Sequence, residues 1–272
     1  MTVRLSRDLK KPHMVESMTS DQMATPGVSF AKPPVAEVAI GVQFAPVSGL
    51  STFRASRLLD KWKSKYPVVS EQPPMPPWPL PNDGSGGFMV QFGGLPGNRI
   101  WLESNDRQFL VQLQNDRLVV NWRTLDGFEY PRYPAIRARF VEAWDDLRQL
   151  MSVEGESVSA QLIDVSYINA MPGVTPSQAI AGWTNPLSNQ EAGAVNANFS
   201  EPIKITGGSA AVRVTSLNGQ YNGEQGVSLT LTVRAVPVLD PLEAIDQSRR
   251  HIIERFRAVT DDEMHARWEV ES

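Results

Sequence analysis

The sequence predicts an α+β fold of antiparallel sheets with packed helices. Three observations carry it. Apolar and polar residues alternate over 36–44 and 226–236, the period of a half-buried strand. The segment 108–123 can pair with itself across a two-residue turn. Two long stretches, 134–150 and the one opened by Pro241, place apolar residues at helical spacing.

In 36–44, Ala36, Val38, Ile40, Val42 and Phe44 point one way, and Glu37, Ala39, Gly41 and Gln43 the other. A helix of about four turns follows over roughly 51–65, with Ser51 as N-cap. Phe53, Leu58, Leu59, Trp62 and Tyr66 form its apolar side. Pro67 ends it, because the residue before a proline avoids helical dihedrals. Residues 71–82 hold Pro73, Pro74, Pro76, Pro77, Pro79 and Pro81 around Trp78. Such density excludes a helix or central strand and favours an extended polyproline conformation. It reads either as a docking ligand for an aromatic groove or as a stiff rim loop with Trp78 folded onto the core, and we favour the loop. Gly84, Gly86 and Gly87 follow without a phosphate-loop lysine, so no nucleotide cradle is read there.

With Asn115 and Asp116 as a hairpin turn, Leu113 faces Leu118, Val111 faces Val120 and Phe109 faces Trp122 on one side. The other side carries Gln108, Gln112, Gln114, Arg117, Asn121 and Arg123, with Leu110 and Val119 among them. A slip of one residue would mix the two sides, so the pattern selects this register. Next, Ile136, Phe140, Ala143, Trp144, Leu147 and Leu150 form the inward stripe of a helix, and Pro134 suits its first turn.

The pattern then restarts. Ile163, Val165 and Tyr167 alternate with Asp164 and Ser166 in a strand, and Thr175 caps a short helix near 176–183. Residues 185–201 read as a loop. Strands follow at about 209–217 and 226–236, with Asn218-Gly219 and Gly223 as turn chemistry between them. The helix opened by Pro241 turns Ile245, Ile252, Phe256 and Val259 inward. Thr260 and Glu263 form a capping-box pattern before a last short helix bearing Met264 and Trp268. Each half thus reads strand, helix, several antiparallel strands, long helix. Element order implies a duplicated unit: a flexible tail over 1–28, a first α+β half over 29–155 and a second over 156–272.

Composition narrows the function. The chain has 272 residues, 41% of them apolar and 21% charged, a net charge of −4 and no cysteine. No apolar run is long enough to span a bilayer. Mild acidity argues against an electrostatic nucleic-acid binder. Without cysteine there is no thiolate nucleophile, disulfide or cysteine-ligated zinc, which fits a reducing cytosol. Arg4, Arg7, Lys10 and Lys11 near the start are not followed by an apolar segment, so no secretory signal is expected and the location is read as cytoplasmic. His13, His251 and His265 form no i, i+4 metal pair. Asp145, Asp146, Glu254, Asp261 and Asp262 are read as ordinary helix-surface and cap residues. No catalytic residue, metal or cofactor is expected.

The candidate partner-binding residues are Asn121, Arg123, Tyr130, Arg132 and Tyr133. Asn121 and Arg123 end the polar row of the hairpin, and the turn at Asp126-Gly127 brings two tyrosines and an arginine near them. Tyrosine and arginine combine large contact area with directional hydrogen bonds, the chemistry of interface hot spots. The structural alternative is that Tyr130 and Tyr133 close a loop over the core while Arg123 pairs with a carboxylate.

Several segments are also familiar. PPVAEVAIGVQF at 33–44, VQLQNDRLVVNWR at 111–123, YPRY at 130–133, SYIN at 166–169 and HIIERFRAVTDDEMHARWE at 251–269 resemble a sporadically distributed, uncharacterised bacterial protein family. The resemblance runs from about residue 30 to the C-terminus and leaves the tail outside. It implies no activity, and its patchy distribution fits mobile or defence-associated genes.

The leading expectation is a non-catalytic cytosolic binding protein for a protein or peptide partner, of unknown oligomeric state. One alternative is an enzyme or small-ligand sensor with a pocket between the halves. A weaker one is nucleic-acid binding through the basic tail and Arg249, Arg250, Arg255 and Arg257 of the last long helix.

Overall fold

The structure is a computed structural model describing residues 29–47, 50, 52–81, 98–125, 129–181, 197–221, 224–236 and 240–271. The tail, Ser51, the Gly84–Gly87 run, the Asp126-Gly127 turn, residues 185–196 and Gly223 lie outside the described residues. The first half supplies β1 (Ser29–Phe30), β2 (Val35–Phe44), α1 (Thr52–Trp62), β3 (Val68–Gln72), β4 (Arg99–Glu103), β5 (Phe109–Gln114), β6 (Arg117–Arg123) and α2 (Arg132–Val153). The second supplies β7 (Ala160–Pro172), α3 (Pro176–Ala179), β8 (Ala197–Ile205), β9 (Gly208–Tyr221), β10 (Glu224–Val236), α4 (Pro241–Val259), α5 (Asp262–Arg267) and β11 (Val270–Glu271).

One antiparallel sheet runs through both halves in the order β3-β4-β5-β6-β2-β7-β10-β9-β8. The opening strands of the halves, β2 and β7, lie side by side, with Ile40 opposite Val165 and Val42 opposite Ile163. On its other side each pairs with the last sheet strand of its own half, β6 or β10. Separately, β1 and β11 pair.

The alternation in these strands gives the sheet one apolar face. Val38, Ile40, Val42, Val120, Trp122, Val165, Leu229, Leu231 and Val233 are all buried there. They belong to a single core with the inward residues of both long helices. On α2 these are Tyr133, Ile136, Phe140, Ala143, Trp144, Leu147 and Met151, the spacing of one helical face. Leu150 is only half-buried. The hairpin has the register that its pattern selects: Phe109 opposite Trp122, Val111 opposite Val120, Leu113 opposite Leu118. Among the described residues no helix is long and apolar enough to cross a membrane.

Several expectations change. Residues 197–201 are strand, not loop, because Phe199 and Ala197 pack against the core from β8. Asn218-Gly219 is no turn: it stays in the β9–β10 ladder opposite Val227 and Gly226, and long-range pairing overrides the local turn preference. The cap of α5 is Asp261, whose carboxylate accepts from the Met264 amide, while the Thr260 hydroxyl donates to the Phe256 carbonyl. Thr175 caps α3 in a full capping box with Gln178. Two strands carried no sequence signal. β3 is almost wholly exposed and so has no buried face to impose alternation, and β4 has only Ile100 and Leu102 turned inward.

Candidate functional site

The polar face of the sheet's first half is not bare. The proline-rich segment 73–81 lies across it as a strap. Gln114 reads the strap's main chain from both sides: the Met75 amide donates to its Oε1 at 2.9 Å, and its Nε2 donates to the Met75 carbonyl at 3.1 Å. Arg117 Nη2 donates to the Pro76 carbonyl at 2.9 Å, and the Trp78 amide donates to Gln43 Oε1 at 2.8 Å. Proline cannot supply these amide donors, so only the non-proline positions can offer them. The Trp78 ring is buried against Val119, Leu162 and Ala39, and stacks on the Arg117 guanidinium 4.4 Å from its centroid. Gly41 makes room: a Cβ there would stand 2.5 Å from Trp78 Cη2 and 3.1 Å from Val119. Trp78 thus folds back onto the sheet, but in a small cluster on its polar face and not on the main core that the favoured reading expects.

Next to the strap a side-chain chain crosses four strands. Arg99 Nη1 and Trp101 Nε1 both donate to Gln112 Oε1, at 2.9 and 3.0 Å. Gln112 Nε2 donates to Asn121 Oδ1 at 2.7 Å, and Asn121 Nδ2 to Glu37 Oε1 at 2.6 Å. At the row's end Arg123 pairs with Glu103 at 2.5 Å and donates from Nε to the Arg107 carbonyl at 2.9 Å. Gln108, expected on this row, instead accepts the buried indole N–H of Trp122 at 3.2 Å. The exception to full satisfaction is cationic. Arg117, whose side chain is 2% exposed, has no partner for Nε or Nη1, and Arg99 has none for Nε. Burial pushes both guanidinium pKa values down.

The five candidate residues do not form one surface. Asn121 is buried and Arg123 half-exposed on the polar face, whereas Tyr130, Arg132 and Tyr133 lie on the helix side, at the seam between the halves. Tyr130 stacks on Trp122 at 5.1 Å and its hydroxyl lies 3.5 Å from that of Tyr167. The Tyr133 hydroxyl donates to Asp246 at 2.5 Å, beside a two-point bond from Arg137 to the same carboxylate. Arg249 covers the Tyr133 ring at 4.6 Å. Burial, first of all, raises the pKa values of Tyr130, Tyr133 and Tyr167. Arg132 has φ +69°, a left-handed conformation uncommon outside glycine, and its guanidinium donates to the carbonyls of Phe30 and Ala31. YPRY thus ties α2, α4 and β1 together, and the seam is filled by side chains.

The second half of the polar face is more open. Following the ladders, Arg123 lies opposite Glu37, then Ile168, Thr230, Thr215 and Asn198. All six are half-exposed or exposed, and the row spans about 24 Å at the usual strand spacing. A parallel row runs through Ser166, Thr232, Arg213 and Ser200, and Leu217, 47% exposed, flanks the first row on its other side, two residues from Thr215. Elsewhere, a cleft of about 460 Å³ beside α4 is lined by Lys204, Ile205, Thr206, Gln247, Arg250, His251 and Glu254. Three of the four arginines of α4 point to different surroundings: Arg249 turns in over Tyr133, Arg255 pairs with Glu201 and Arg250 lines the cleft, while Arg257 is exposed.

Sequence reasoning missed Arg99, Gln43, Gly41 and the strap's seat. The available signal was the density of Gln and Arg on strands flanked by apolar ones, since polar side chains on a covered face need a cover with matching groups. Fold and site together define an α+β protein with one nine-stranded antiparallel sheet, a helix-covered apolar face and a polar face partly closed by a strap. No protein-family model, curated protein or solved structure matches the chain.

Proposed function

We propose that this is a non-catalytic cytoplasmic binding protein whose partner is a protein or peptide, in a mobile or defence-associated system as the family resemblance implies. The observation that carries the reading is the uncovered row from Arg123 to Asn198. Short hydroxyl and amide side chains offer donors and acceptors there at little entropic cost, with Ile168 and Leu217 as apolar contacts. Asn121 supports the row from below by fixing Glu37. The strap supplies a precedent, since the same face already holds one extended segment by its main chain. The shared element order and the central β2–β7 pair support a duplicated unit.

The test is capture from a native extract by wild type and by Thr215→Arg/Thr230→Arg, with bound proteins identified by mass spectrometry and Tm measured on the same batches. The expected result is a partner lost from the variant at unchanged Tm. Identical capture by both proteins overturns the reading. A small-ligand protein is the second reading, favoured by the cleft at Lys204, Arg250 and His251 rather than by the filled seam between the halves.

A further inference from the structure

Beneath the strap lies a small cavity lined by Met75, Arg99, Gln112, Gln114, Arg117 and Val119. Its charges do not balance. Asp164 is engaged by Arg234 at 2.7 Å, and Asp116 stands 3.7 Å from Arg117 Nη2. Among the described residues Arg99 has no acid: its Nη1 meets Gln112 and, at 2.6 Å, the Met75 sulfur. Glu71, on the neighbouring strand, accepts from Asn98 instead. Three guanidiniums therefore share two carboxylates. The unpartnered N–H groups, Nε of Arg99 and Nε and Nη1 of Arg117, belong to two residues that line this same cavity.

We propose that the cavity is an anion-binding site for a single carboxylate group, and that the Met75 side chain stands in the carboxylate's place. Guanidinium forks match a carboxylate in two-point geometry, whereas a thioether accepts weakly and carries no charge. The burial of Arg117 makes water a poor substitute: the gap is too narrow to seat one. A free acid enters only when Met75 moves aside, which displaces the strap segment that Gln114 and Arg117 hold. The carboxylate has two sources, a small free acid or an acidic side chain on an extended chain lying where the strap lies. The site is separate from the Arg123–Asn198 row, so it stands or falls without the partner reading.

The experiment is thermal unfolding of the full chain in two arms. In the first, Met75→Glu is compared with Met75→Gln, the uncharged control of the same shape. Met75→Glu is expected to melt about 2–4 °C higher, the size of one well-made charged interaction in a chain of this length. In the second, wild type is titrated with sodium formate against sodium chloride at equal ionic strength. The expected result is a saturable rise in Tm that is absent in Arg99→Met and absent in Met75→Glu, whose own carboxylate fills the site. A response in the first arm alone assigns the site to an acidic side chain, and one in the second shows that a small acid enters. The proposal is overturned if Met75→Glu melts no higher than Met75→Gln and formate acts on wild type no differently from chloride.

Discussion

Arg117 and Arg234 sit on the same face of one sheet, in adjoining halves, and their surroundings differ in kind. Arg117 is 2% exposed, lies under the strap and bonds to neutral oxygens of Gln43 and Pro76. Arg234 is 23% exposed, lies under no strap and bonds to the Asp164 carboxylate, which also accepts from Ser166. In the first half, cover was added and charge was left partly unmatched. In the second, charge was matched and the cover reaches only as far as Leu162. A buried cation without a full set of acceptors costs about 1–3 kcal/mol per missing bond. The strap therefore has to bring compensating burial, which Trp78 supplies by packing on Val119 and Leu162.

The largest expected effect lies on the opposite face, where the halves are alike. Trp122 and Leu231 are both fully buried, one in each half. Trp122→Ala should cost about 3–5 kcal/mol and Leu231→Ala about 2–5 kcal/mol in urea unfolding. Comparable losses place the difference between the halves on the polar face alone. A loss below about 1 kcal/mol in either would show that this half does not share the common core, and would break the comparison at its base.

The next effect separates the halves. Gly41→Val puts a branched side chain where the Trp78 ring lies, so the ring must leave or the strand must shift. Overpacking of this kind costs about 1–3 kcal/mol. Hydrogen exchange at the Met75 and Trp78 amides should quicken at the same time. Thr230→Val, on the uncovered half, should change stability by less than about 0.5 kcal/mol. Unchanged exchange at these two amides in Gly41→Val would mean that Trp78 does not anchor the strap.

These contrasts explain what could be read from the sequence. The apolar face was legible because alternation is imposed wherever one side of a strand is buried, and Phe109, Val111, Leu113, Leu118, Val120 and Trp122 fixed a hairpin register that the structure shares. The polar face was legible only as polar. Whether Asn121 is buried and Arg123 half-exposed depends on what lies across them, and a strap some forty residues away in the chain leaves no periodic trace. The five candidate residues were grouped by nearness in sequence. The sheet itself separates them, because Trp122, between Asn121 and Arg123, points to the core and carries Tyr130 with it. β3 escaped because an exposed edge strand has no burial to pattern it.

The seam gives a third, smaller effect that both halves share. Burial raises the phenol pKa values of Tyr130, Tyr133 and Tyr167 above their ordinary value of about 10. A group whose folded pKa is raised contributes stability that is complete below the unfolded pKa and is lost as pH rises beyond it. Tm should therefore hold from pH 7 to about 9 and fall above about 10. Tyr133→Phe should cost about 1–2 kcal/mol at pH 7, through the lost bond to Asp246, and should make the alkaline fall shallower. An equally steep fall in Tyr133→Phe would place the alkaline sensitivity outside this seam.

The last effect concerns charge and falls on Arg123, where the covered and open regions meet. Its ion pair with Glu103 has side chains 29% and 13% exposed. Its guanidinium is the more accessible partner, so water and salt screen part of the attraction. Arg123→Ala should lower stability by about 1–2 kcal/mol, and the difference should shrink between low and high ionic strength. Arg234→Ala should cost somewhat more, because it leaves the Asp164 carboxylate, 9% exposed, without its cation. The ordering sharpens the comparison: both halves match this charge, and the boundary of the first half holds the more accessible guanidinium of the two. An arginine of that kind can be given to a partner at less cost to the free protein. If Arg123→Ala instead unfolds the chain as readily as Arg234→Ala, its guanidinium is structural, and the partner row begins at Glu37.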